Sequence, residues 1–276
     1  MAWWKARRKA APGRQADDET PDPRVWPAAE ADSLYQQAIQ LAREPGGGDE
    51  AERVSAAAVA AYRQLSLRGE IPPSQAKRKL ALWRHSMLLG RRGRPREAME
   101  PGREGVVLER ELLATAGPHD PATDELVGET ATAINDLSQA AAAAGLDQEH
   151  RALIREAVAL CRQHPGPRAR QALGTALHNQ AAVAAAAVAA AMARGQLPSA
   201  AVPDALDAAA QAVAVRREVL DLAQPVSCWE LANSLLQRGK LQCLCAMGSQ
   251  ERPTCWRPGA SPSPCVARAP SSCTTS

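Results

Sequence analysis

Three glycines, Gly46, Gly93 and Gly145, each stand 17 residues before an arginine: Arg63, Arg110 and Arg162. The six residues ending at those arginines share one pattern: Ala58-Val-Ala-Ala-Tyr-Arg63, Gly105-Val-Val-Leu-Glu-Arg110 and Ala157-Val-Ala-Leu-Cys-Arg162. A fourth copy, Ala212 to Arg217, lies 22 residues after Gly195 and so carries a five-residue insertion. Self-similarity at a period of about 20–50 residues marks a stacked repeat. Each unit of such an array buries its apolar face only against its neighbours. An array of this kind offers a surface rather than a closed pocket, which directs the functional reading toward holding a partner.

Composition sets the class. Aromatics are 3% of the chain and phenylalanine is absent, while alanine dominates. Strands want branched and aromatic side chains, whereas small residues and good helix formers favour helices. The expected fold is all-α, with helices packed closely through small side chains. Net charge is only +3, so bulk electrostatics does not demand nucleic acid or a membrane. The basic start runs into Pro12 and Asp17 without an apolar stretch, so no secretory signal is read. The longest apolar run, Ala181 to Ala193, is 13 residues, short of the roughly 20 that span a bilayer. A cytoplasmic protein without membrane contact is the expectation. Seven cysteines, an odd number crowded toward the end, argue against a disulfide framework.

Glycine and proline punctuate the chain. Helices of a first kind are expected at about 28–45, 74–92, 121–144, 168–194 and 228–247, closed by glycines at 46, 93, 145, 195 and 248. Helices of a second kind, holding the arginine runs, are expected at about 50–68, 97–116, 149–163 and 203–222. The loops within each pair are short, which makes the two helices antiparallel neighbours. Residues 1–27, with four prolines among charges, read as a disordered basic arm. Residues 249–276 hold five prolines where a second helix is due. They are either an ordinary disordered Pro/Ser/Cys tail or a stretch translated out of frame beyond about Cys245. Either way the helix at 228–247 is expected to keep a partly uncovered apolar face.

Small residues recur five and twelve positions after the glycines. The first set is Ala51, Ala98 and, across the insertion, Ala205; the second is Ala58, Gly105, Ala157 and Ala212. This layout, over about residues 28–248, resembles the tetratricopeptide repeat family, in a long-repeat form seen in GC-rich bacteria. The resemblance implies a right-handed solenoid of antiparallel helix hairpins, four plus half of a fifth. Departures are the period near fifty residues, in place of the family's 34, and His150 where the third copy's first alanine belongs.

The same resemblance implies that first helices line a groove, with inward positions ten and six residues before each glycine. Those are Gln36 and Gln40, Trp83 and Met87, and Asn135 and Gln139, while the fourth copy offers only Ala185 and Ala189. Amides bond a peptide backbone as donor and acceptor, and Trp and Met give apolar anchorage. The competing structural reading makes Trp83 and Met87 core residues and turns the polar pairs to solvent. The expected partner is a peptide or helix of another protein, held by a scaffold without catalysis or cofactor. The alternative is a regulatory nucleic-acid-binding role. It rests on Lys77, Arg78, Lys79, Arg84, Arg91, Arg92, Arg94 and Arg96, which fall in a span, residues 75–96, that has no acid.

No P-loop, dinucleotide fingerprint, HExxH or GxSxG pattern is present. The five histidines never stand three or four residues apart and read as surface or helix-end residues. The late cysteines lack the close pairing of a zinc site, so no metal is expected. Glu50, Glu97 and Asp204 recur at second-helix starts, where negative charge suits the helix dipole. For the repeated arginines, the first explanation is a cation near a helix C-terminus, the second an inter-repeat salt bridge, and the third a ligand.

Overall fold

The computed structural model describes residues 26–71, 76–117, 120, 122–195 and 201–249. Among them the regular structure is helical: α1 (Ala28–Leu41), α2 (Gly48–Leu67), α3 (Ala76–Arg91), α4 (Pro95–Thr115), α5 (Thr123–Ala143), α6 (Asp147–Gln163), α7 (Pro167–Ala193), α8 (Ala201–Glu218) and α9 (Pro225–Ser249). Successive helices pack on each other, and α5 packs on α7 and α7 on α9. The fold is therefore all-α, a stack of hairpins α1–α2, α3–α4, α5–α6 and α7–α8, with α9 opening a fifth. Residues 1–25 and 250–276, the bulk of the expected arm and tail, lie outside the described residues.

Gly93, Gly145 and Gly195 act as local stop signals, whereas Gly248, expected to close the last helix, lies within α9. Gly93 and Gly145 both take a φ of 77°, a left-handed conformation that costs other residues a Cβ clash. The amide of Gly93 bonds the carbonyl of Gly90 and that of Arg94 bonds Leu89, closing α3 in a Schellman turn. Gly145 and Leu146 repeat this on Ala142 and Ala141. Starts are set differently. Pro95 and Pro167 occupy the first turns of α4 and α7, where the missing N–H costs nothing. Pro225, expected as a break, likewise opens α9.

The small residues at the repeat register lie where helices meet. Ala51, Ala98 and Ala205 are all 0% exposed, and Ala58, Ala157 and Ala212 no more than 1%. In the third copy His150 replaces the alanine, and its ring is accommodated by donating from Nδ1 to the Ser138 carbonyl at 2.7 Å. One cluster joins α1 to α4 around Tyr62, Leu65 and Leu82, and another runs from α3 to α8 around Ile134, Leu137 and Leu177. Between α7, α8 and α9 the buried cluster is five alanines and Leu241. Trp26, assigned to the arm, is instead buried in the first cluster, and its carbonyl accepts a bond from Arg68 at 2.7 Å.

The membrane expectation needs one revision. Counted as a whole helix rather than an unbroken run, α7 has 27 residues and a window of mean hydropathy 1.3, long and apolar enough to cross a bilayer by composition. Here α7 packs against α5, α6, α8 and α9.

Candidate functional site: a cleft between the first helices

Small residues hold α3, α4 and α5 close while leaving an open space beside them. Gly102, Gly105 and Gly128 line a cavity of about 560 Å³ bounded by α3, α4, α5 and the first turns of α7. A Cβ at Gly102 would stand 2.9 Å from Leu137 Cδ1, and one at Gly128 2.9 Å from Arg168 Cβ. These two glycines therefore let the helices approach. The volume falls within the range of about 300–1,000 Å³ typical of ligand pockets.

The α3 wall is apolar and open. Leu80 is 44% and Trp83 38% exposed, with Met87 half-buried one turn on. Helical spacing makes Trp83 a candidate core residue, and the structure places it on the cleft instead. Its Nε1 donates to Asp136 Oδ2 at 2.8 Å, across to α5. Burial pushes the Asp136 carboxyl above the usual carboxylate range, partly offset by that indole N–H.

Asn135, beside Asp136, is 2% exposed rather than solvent-facing. Its Oδ1 lies 3.4 Å from the amide nitrogen of Asn179 on α7, while its Nδ2 is buried without a hydrogen-bond partner. An unmade bond of this sort costs about 1–3 kcal/mol. Asn135 lines the cleft, and its Nδ2, itself sealed from solvent, would reach an acceptor there on a turn of the side chain.

At one end of the cleft Lys79 is 7% exposed, held by Glu109 at 3.0 Å and Glu129 at 2.9 Å. Burial opposes the charge on Lys79, but the two carboxylates hold its pKa above the ordinary value. Burial likewise raises the Glu109 carboxyl, opposed by the Lys79 ammonium. Lys79 therefore belongs to a buried ion cluster and not to an exposed basic surface.

The cleft gathers Trp83, Met87 and Asn135 from the expected groove positions. Gln36 and Gln40 are exposed on α1 and Gln139 is half-buried on α5, and none of the three lines it. Sequence reasoning missed Leu80 and Thr132, which both stand thirteen residues before a repeat glycine and both line the cleft. Extending the inward register one turn toward the N-terminus would have found them. Asp136 gave no such signal, because its importance comes from Trp83, 53 residues away.

The basic segment is largely neutralised. Lys77 pairs with Asp32, Arg78 with Glu104 at 2.6 Å, Arg92 with Glu52 at 2.8 Å, and Arg94 with Glu52 and Glu97. The Arg84 guanidinium lies 5.7 Å from the Tyr35 ring and 5.9 Å from that of Trp83. Arg91 and Arg96 are exposed at the turn between α3 and α4. The acids missing from the local sequence arrive from the neighbouring helices α1, α2, α4 and α5.

Two of the four repeated arginines, Arg63 and Arg110, follow the second explanation offered for them, an inter-repeat salt bridge, while Arg162 reaches a neutral amide instead. Arg63 on α2 reaches Glu104 and Glu100 on α4, Arg110 on α4 reaches Glu156 on α6, and Arg162 on α6 reaches Gln211 on α8. They form a ladder along the second helices, away from the cleft. The histidines also depart from expectation. His85, His150 and His178 are half-buried, and burial lowers the pKa of His85 and of His178 to about 4.

No family model and no curated protein matches the chain. Among solved structures it is similar to a Podosopora anserina protein of nearly identical TPR-like repeats, named for the kinesin light chain. That match has 18% identity and a TM-score of 0.46, covering 81% of this chain and 98% of that one. A single-substitution variant of the same protein matches at 20% identity and a TM-score of 0.47, over 80% and 93% of the two chains. BtubC (BKLC) from P. vanneervenii matches at 15% identity and a TM-score of 0.42, over 87% and 97%. At these scores the fold assignment rests on the chain's own helices.

Proposed function

We propose that this chain is an interaction scaffold whose cleft between α3, α5 and α7 holds an extended or helical segment of a partner protein. The observation that carries this reading is Asn135, almost fully buried on the cleft with its Nδ2 unpartnered. A backbone carbonyl of a bound segment would accept that hydrogen bond once the Asn135 side chain turns toward the cleft. Leu80, Trp83 and Met87 would take an apolar side chain, an arrangement in which an aromatic anchor supplies much of the binding energy. Catalysis forms no part of this reading, and neither does a cofactor.

Selection from a displayed peptide library, followed by calorimetry with the selected peptide, tests it. Trp83→Ala is expected to weaken binding about thirtyfold, the effect of losing a hot-spot aromatic. Asn135→Ala is expected to cost about 2- to 12-fold, the net value of one hydrogen bond. Arg96→Glu, outside the cleft, should leave the affinity unchanged. Affinities unaltered by both cleft substitutions would refute the assignment.

A further inference from the structure

The cleft lining is acidic. Glu109, Glu125, Glu129, Asp136 and Glu230 face only Lys79 and Arg168, a formal excess of three negative charges beside the exposed apolar strip of Leu80 and Trp83. A segment that fits must therefore be apolar, ideally aromatic, and cationic. The chain carries one of that composition outside the described residues: Trp3-Trp4-Lys5-Ala6-Arg7-Arg8-Lys9, two indoles and four cations without an acid.

Geometry allows it to arrive. Residues 10–25 join this segment to Trp26, which is anchored beside α1 by Arg68. Sixteen extended residues span about 53–58 Å. The ion pair of Lys77 with Asp32 sets the start of α3 beside the start of α1, so the chain leaves the core at the end where Ala76 and Lys79 open the cleft. Two helix-to-helix steps of about 8–10 Å and one length of α3, about 24 Å for its 16 residues, stay within that reach.

We propose that residues 3–9 of this chain occupy the cleft between α3 and α5 in the unliganded protein, so that an outside partner must displace them. The inference rests on the reading of the cleft as a peptide site. The indoles pack on Leu80 and Trp83, the guanidinium groups and ammoniums meet Asp136, Glu129 and Glu230, and a main-chain carbonyl takes the Asn135 donor as that side chain turns outward. Tethering places the segment at an effective concentration of about millimolar. A free peptide binding at about 100 μM would then appear about tenfold weaker against the intact chain.

Fluorescence anisotropy of a labelled peptide of residues 1–12 tests this, using the full-length chain and a full-length variant with Trp3→Ser, Trp4→Ser, Arg7→Glu and Arg8→Glu. The peptide should bind the variant and bind the wild type about tenfold more weakly, at every protein concentration. Adding Asp136→Lys, or the exposed Leu80→Ser, to the arm variant should weaken the peptide a further tenfold. Equal binding to wild type and variant, binding to neither, or wild-type protection that vanishes on dilution would overturn the inference. Selected library peptides that still lose affinity on Trp83→Ala would leave the scaffold reading standing in each of those cases.

Discussion

His85 and His178 show how burial dominates a residue's behaviour. For His85, burial is the largest influence, aided by the nearby Arg63 and Arg94 cations; for His178 it is burial, then Arg216. Their folded pKa values of about 4 lie below the ordinary histidine value of about 6.5. Between those values the unfolded chain binds more protons, so stability rises with pH there. The contribution is complete above about pH 6.5 and is lost as pH falls toward 4. Urea unfolding at pH 7 and pH 5 should differ by about 1–2 kcal/mol per histidine. His178→Asn, which keeps a polar contact to Ser234 (3.2 Å from Nδ1 in the native chain), should remove its share of that difference. An unchanged pH slope in this variant would contradict the burial argument.

At the scale of the element, helix ends were the most legible feature, because a left-handed glycine is a local requirement that the sequence states outright. At Gly145 a built Cβ meets nothing within 4 Å. The cost of Gly145→Ala is therefore conformational only, and thermal unfolding should report about 1–2 kcal/mol. Gly145→Asn should lose less, since asparagine tolerates this conformation better. Equal losses would point to some other cause. The first helix was less legible: expected over 28–45, α1 ends at Leu41, because Gly46 serves the following loop rather than the cap itself.

Across the whole molecule, core quality falls from the N-terminal hairpins to the C-terminal ones. Tyr62, Leu65 and Leu82 fill the first cluster, whereas the cluster joining α7, α8 and α9 has Leu241, at 0% exposed, among buried alanines, with a partly buried Leu206 packed on it. Elsewhere on α9, Val226, Trp229, Leu235 and Leu236 are 41–66% exposed, in line with the partly uncovered apolar surface expected there. Leu241→Ala should lower urea stability by about 2–3 kcal/mol, the lower part of the range for buried leucine. Leu235→Lys with Leu236→Lys should stay within about 0.5 kcal/mol. A reversal of that order would mean that α9 packs through its other face.

By itself the sequence determined the repeat, its helices and the stops at Gly93, Gly145 and Gly195, because periodicity, small-residue spacing and glycine conformation act over a few residues. Trp83, Met87 and Asn135 were marked by the groove positions that the resemblance to tetratricopeptide repeats implies, counted from those same glycines. Only the tertiary structure decided which of the candidates converge. Asp136 meets Trp83 from 53 residues away, Lys79 meets Glu129 from 50, and Arg63 meets Glu104 from 41. Partners one repeat apart come together only when hairpins stack. Stacking turned a basic run into ion pairs, buried Asn135, and left Leu80 and Trp83 open on an acidic cleft.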